Sequence, residues 1–224
     1  MYFISLRTGT PQLFKVALTG GADARVTSDN VADGYPALAP NGSTVVFASG
    51  SGFPKITLAD TTGANQTRFA AADGGAASAI EARPAWSPSG DRIAYTTTRD
   101  GSAGIYIGQT AGAMGSATPF VSGANGYGSA EPAWSFDGST VAFSSDRDGP
   151  TDLYTRPIAN GPTARLTTVG QAGEPAWLPD GRVVFARYVG SGTFALRWVD
   201  PADTAHVHAI PTGPGSAEHA AATP

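Results

Sequence analysis

The stretch EPAWSFDGSTVAFSSDRDG, residues 131–149, holds two strand-like runs, Pro132 to Ser135 and Thr140 to Ser145, punctuated by Asp137-Gly138 and Asp148-Gly149. Asp tolerates tight local geometry and Gly accepts φ > 0, so each pair marks a reversal of the chain. Variants of the opening tetrapeptide recur in phase: Pro36-Ala-Leu-Ala, Pro84-Ala-Trp-Ser, Pro132-Ala-Trp-Ser and Pro175-Ala-Trp-Leu, each followed by a turn ending at Gly42, Gly90, Gly138 or Gly181. The aromatics Phe47, Tyr95, Phe143 and Phe185 keep step behind them, and Phe3 falls in the same register. A repeat of this length is one supersecondary unit that must stack on its neighbours to bury its faces.

Further runs complete this repeat. Asp152 to Ile158 and Ala164 to Thr168 are strand-like, with Asn160-Gly161-Pro162 between them. Helical periodicity is weak everywhere, and Ala76 to Ala82 is the one candidate. Four short antiparallel strands per repeat predict an all-β fold, a β-propeller of about five four-stranded antiparallel blades. The repeats cover approximately 1–30, 31–79, 80–127, 128–170 and 171–210, a single propeller domain over 1–210. The first lacks its innermost strand. Residues 211–224 are expected to be a closing strand or a disordered tail, because Gly215-Ser-Ala-Glu218-His-Ala echoes Gly128-Ser-Ala-Glu131-Pro-Ala. Closure of a five-bladed ring by that segment and a fragment of a larger propeller both agree with these ends.

Trp86, Trp134 and Trp177, one per repeat, suit the gaps between stacked sheets, and Leu38 takes that place in the second repeat. Pro at the head of the strand removes no ladder donor that is needed there. Arg25, Arg68 and Arg165 open the outermost runs, where charge discourages edge-to-edge pairing.

Composition agrees with turns rather than helices: 29 Gly and 17 Pro stand in 224 residues, and charged residues are only 14%. The net charge of −4 and two lysines, Lys15 and Lys55, leave no basic stripe for a phosphate backbone, so no nucleic-acid partner is expected. Zero cysteines removes disulfides and thiolate chemistry. No apolar run reaches the ~20 residues of a membrane span, and the first residues lack the pattern of a signal peptide.

Residues 131–154 together with Arg165-Leu-Thr167 closely resemble the WD40-like PD40 repeat of TolB-type propellers, and the resemblance runs through nearly the whole chain. It implies an extracytoplasmic or periplasmic bacterial protein that docks a protein or peptide at one mouth of its central channel. Related blades also serve as a substrate-gating module in prolyl-oligopeptidase-like peptidases and in carbohydrate-active enzymes. The TolB pattern's N-terminal α/β domain is not in this sequence.

Motifs for hydrolase, zincin, P-loop or dinucleotide chemistry do not occur, so a non-enzymatic scaffold without cofactors is expected. Asp146, Asp148 and Asp152 read as a hydrogen-bonded turn rather than a calcium loop. His206 and His208, two apart on a strand, share a face but bring no third ligand, and no metal site is assigned. Asn41-Gly-Ser43 and Asn65-Gln-Thr67 match a glycosylation sequon only as short patterns.

The candidate binding residues are those just before each aligned Pro: Tyr35, Arg83, Glu131 and Glu174, with Glu218 at the equivalent terminal position. If the Pro strand is innermost, these side chains crown the channel mouth. Pre-proline backbone favours extended geometry, which is expected to aim them alike.

Overall fold

A computed structural model describes residues 1–69, 77–111 and 116–211. Its chain divides between Ala124 and Asn125 into two compact units. The first holds three antiparallel meanders, here called blades 1 to 3. Blade 1 is β1 (Tyr2–Ser5), β2 (Gln12–Lys15) and β3 (Ala24–Arg25); blade 2 is β4 (Asp33–Leu38), β5 (Thr44–Ser49), β6 (Lys55–Asp60) and β7 (Thr67–Arg68). Blade 3 is β8 (Glu81–Trp86), β9 (Arg92–Asp100), β10 (Ser102–Gln109) and β11 (Ala117–Val121).

The second unit holds two. Blade 4 is β12 (Ser129–Trp134), β13 (Thr140–Ser145), β14 (Asp152–Pro157) and β15 (Ala164–Arg165). Blade 5 is β16 (Ala172–Trp177), β17 (Val183–Gly190), β18 (Thr193–Asp200) and β19 (Asp203–Ala209). Four blades therefore have four strands in sequence order, and the first has three, as the repeat frame predicts. The helical candidate fails: β8 occupies Glu81–Trp86, and a single 3₁₀ turn at Gly123–Asn125 is the helical element among the described residues. The expected closing strand and Glu218 lie outside the described residues.

Sheets this small are stabilised by the layer between them. Leu13, Val26, Val45, Phe47 and Ala59 form the layer between blades 1 and 2. Val46, Ile56, Phe69, Ile93, Tyr95 and Tyr106 join blades 2 and 3, with Trp86 against them. In the second unit Leu153, Leu166, Trp177, Phe185 and Val199 join blades 4 and 5. The tryptophans also pin the layers. Trp86 Nε1 donates to the Ala37 carbonyl at 3.1 Å, and Trp177 Nε1 donates to the Ala133 carbonyl at 3.1 Å. Both acceptors belong to the Pro-Ala step of the preceding blade, so one indole fills the seam and satisfies a backbone group there. Leu38 has no donor and remains 44% exposed.

A second repeated device lies inside the blades. Arg7 stands over the stacked Phe3 and Phe14 rings, Arg99 over Tyr106, and Arg147 over Phe143 and Tyr154. Such cation–π contacts contribute on the order of 0.5–2 kcal/mol each. The following Asp holds the tyrosine: Tyr106 OH donates to Asp100 at 2.9 Å and Tyr154 OH to Asp148 at 2.8 Å. In blade 1 the ring is Phe14 and the acid position is Thr8, so hydroxyl and carboxylate are absent together. Burial, with the Asp148 bond, pushes the Tyr154 hydroxyl up to about 12.

The arginines of the outer strands, expected as edge charges, also fasten the chain beside them. Arg165 Nε donates to the Thr167 carbonyl at 2.9 Å and its Nη2 pairs with Asp152 at 2.8 Å. Arg25 does the same with the Thr27 carbonyl at 2.6 Å and with Gln12 at 3.0 Å. The cause is the short ladder: two residues pair, and the side chain then fastens the departing loop.

Candidate functional site

Each innermost strand is six residues with Pro in fourth place, and each slips register at the same point. Gly34 pairs with Ala48 and Ala37 with Val46, so Tyr35 and Pro36 stand opposite Phe47 alone. The same two-against-one step separates Ala82 from Ala85, Ala130 from Ala133 and Gly173 from Ala176. This is a β-bulge, and Pro suits it because it has no N–H to leave unpaired.

The bulge overturns the expected extended geometry. Tyr35, Arg83, Glu131 and Glu174 have φ of 53°, 52°, 61° and 53°, all left-handed. A left-handed first residue is how a bulge absorbs its extra unit, and glycine usually supplies it. Here four side chains occupy that conformation, at about 1–2 kcal/mol each. The local pre-proline preference is overridden by the register of the partner strand.

The structure brings these residues together in pairs within each unit. In the first, the Arg83 guanidinium lies 4.8 Å from the Tyr35 ring centre, and that ring is 46% exposed. In the second, Glu131 Oε2 accepts the Glu174 N–H at 2.6 Å. A Cβ at Gly173 would stand 2.8 Å from that carboxylate oxygen, so glycine there leaves room for the contact. Glu131 and Glu174 are half-buried, as is Arg83.

The remaining candidates are engaged structurally. Asp146 accepts the Gly128 N–H at 2.6 Å, Asp148 serves Tyr154, and Asp152 accepts Thr167 Oγ1 at 2.7 Å and the Val169 and Gly170 N–H groups. These acids point to three different tasks, not to one ion. His206 Nδ1 lies 2.9 Å from Asp203, while the His208 ring stacks on Trp198 at 3.9 Å. Among the described residues no three His, Cys, Asp or Glu side chains gather as a metal site. Asn41 Oδ1 closes its turn on Ser43, and Asn65 Nδ2 donates to Asp60 at 2.8 Å. Asp137 is an acceptor of the same kind: Ser135 and Ser139 bonds hold its carboxyl down to about 2.

Sequence reasoning missed two buried acids, Asp33 and Glu81. Glu81, 1% exposed, opens β8, accepts the Ile56 N–H at 3.1 Å through Oε2, and sets Oε1 3.5 Å from Arg99, 3.6 Å from Arg68 and 3.9 Å from Lys55. Its signal was its place at the head of the Pro strand, shared with Asp33.

Repeated four-stranded antiparallel blades, joined by indole-filled seams and carrying a bulged Pro strand, define a β-propeller. The chain belongs to the TolB beta propeller domain family, PD40, whose model matches residues 74–210. Among solved structures it is similar to a putative TolB from Agrobacterium tumefaciens, with TM-score 0.74 and 21% identity, covering 88% of this chain and 73% of that one. TolB from Acinetobacter baumannii gives TM-score 0.71 at 18% identity over 93% of this chain and 51% of that one. A puromycin-hydrolyzing peptidase of Mycobacterium tuberculosis shares the fold at TM-score 0.70 and 14% identity, over 99% of this chain and 39% of the peptidase. An uncharacterized Agrobacterium fabrum protein, Atu1656, is 33% identical over 104 residues, 42% of this chain. The chain spans 35% of that relative's length. Among the described residues no helix is long and apolar enough to cross a membrane.

Proposed function

We propose that this chain is a non-catalytic propeller scaffold that binds a protein or peptide partner through its pre-proline residues, in the bacterial envelope. The observation that carries this reading is the left-handed backbone of Tyr35, Arg83, Glu131 and Glu174. Strain of that kind persists where surrounding structure over-determines it, and a side chain kept there when glycine would be cheaper points to a use for the side chain. These residues are aromatic in blade 2, cationic in blade 3 and acidic in blades 4 and 5, on a frame that otherwise repeats, which suits recognition better than packing. The rival reading, a substrate-gating module of a peptidase, draws on the peptidase neighbour and would need a catalytic domain outside these residues.

The test is capture from an envelope extract by the immobilised protein, with Tyr35→Ala/Arg83→Ala and Glu131→Ala/Glu174→Ala beside it. Both double variants are expected to lose the protein that the wild type retains, while His206→Ala on the exposed outer strand keeps it. Equal capture by all of them would overturn the reading.

A further inference from the structure

The arginine clasp is missing from blades 2 and 5, where Ser51 and Val189 stand at its position, and in blade 2 its absence leaves an acid behind. Arg7, Arg99 and Arg147 follow their inner aromatics at one fixed spacing, whereas Ser51 follows Phe47, and the residue across from Phe47 is Thr57 instead of a ring. Hydrogen bonds fix the equivalence: Gly50 N–H donates to the Ala32 carbonyl at 3.0 Å, as Thr98 does to Ile80 at 3.1 Å and Asp146 to Gly128 at 3.2 Å.

Elsewhere the clasp guanidinium also reaches the first residue of the innermost strand. Arg99 Nη2 lies 3.5 Å from Glu81 Oε1, and Arg147 Nη2 donates to Ser129 Oγ at 3.3 Å. In blade 2 that first residue is Asp33, 5% exposed. Its Oδ2 accepts the Thr27 hydroxyl, and its Oδ1 has no hydrogen-bond partner among the described residues. The groups facing it are Thr27 and the Leu13 backbone from blade 1, Ser49 from β5, and Asp29, a second acid, from the preceding loop. Of the nearby cations, Arg25 bonds Gln12 and the Thr27 carbonyl, and Lys55 donates to the Ala79 carbonyl at 2.5 Å. Burial holds the Asp33 carboxyl above the usual range, as befits an acid with neutral partners.

We propose that Asp33 receives the guanidinium of an arginine presented by a partner peptide, entering beside the exposed Ser51-Gly52-Phe53 turn. The incoming group would stand where Arg99 and Arg147 stand in their own blades. Phe53, 52% exposed, offers an aromatic surface in that turn. A planar guanidinium suits a carboxylate with a second oxygen to satisfy better than a point ammonium does. The peptide source rests on the partner-binding reading above; the recognition of guanidinium does not.

The test is titration of the purified protein with methylguanidinium, N-acetylarginine amide and n-butylammonium, followed by amide NMR shifts and thermal midpoint. Saturable shifts around residues 31–35 and 49–53 are expected for both guanidinium probes, at least tenfold weaker for butylammonium, and strongest for the acetylated amide. Asp33→Asn should weaken the response at least tenfold. Ser51→Arg/Thr57→Tyr should abolish it and raise the midpoint, because it restores the clasp from within. Identical titrations for wild type and Asp33→Asn, no saturable response in the wild type, or undiminished binding by the double variant would each overturn the proposal; if the double variant does not fold, Asp33→Asn decides. Should Asp33 govern the titration while the pre-proline variants still capture normally, the guanidinium site stands and the partner-binding reading falls; the opposite pattern does the reverse.

Discussion

Glu81→Ala is expected to destabilise the first unit by about 3–5 kcal/mol, as removal of one member of a buried ion pair does. Glu81 is 1% exposed and the Arg99 side chain 8% exposed, so the guanidinium left behind cannot recover its hydration. The Ile56 N–H would lose its acceptor at the same time. Glu81→Gln keeps that acceptor and loses only the charge, so it should fall between wild type and alanine. Urea unfolding of the three proteins, with unchanged slope, measures the series. The comparison separates backbone satisfaction from charge: a glutamine variant as unstable as alanine assigns the whole effect to the ion cluster.

Trp177→Ala is expected to cost about 3–5 kcal/mol in the second unit, from lost burial and the cavity left behind. Trp177 is 8% exposed, packs against Leu153, Phe185 and Val199, and pins the Ala133 carbonyl. Trp177→Phe should cost less but leave that carbonyl unsatisfied, about 1–3 kcal/mol. Leu38 supplies the control. It occupies the same repeat position at 44% exposure, so Leu38→Ala should cost under about 1 kcal/mol. Differential unfolding of the three variants checks the ordering, and equal losses at 38 and 177 would remove the pin from the account.

Much of the architecture was legible because its signals are local and recur in phase. Asp137-Gly138 and Asp148-Gly149 mark turns by their own chemistry, and Pro-Ala-Trp marks a strand whose large side chain must find a seam. Blade 1 was expected to have three strands and has three. What escaped depends on partners distant in sequence. The pre-proline rule is correct for an isolated chain, yet at Tyr35 and Glu174 the register of β5 and β17 decides the backbone. Arg165 reads as an edge guard until Asp152 is placed 2.8 Å away. Glu81 is not singled out until Lys55, Arg68 and Arg99 converge on it. The same acid task is done by Asp152 in blade 4, from a different strand, so no single column of the repeat records it.

The repeated residues thus build the frame, and on the proposed reading the strained pre-proline residues, Tyr35, Arg83 and two glutamates, serve recognition. Tyr35→Gly tests that division directly, because glycine takes a φ of 53° without strain while removing the side chain. Its unfolding free energy, measured in urea beside envelope capture, is predicted to match or exceed the wild type by up to about 1 kcal/mol, with capture reduced. A loss of stability greater than about 1 kcal/mol with capture intact would show that the side chain serves the frame, and would contradict the account.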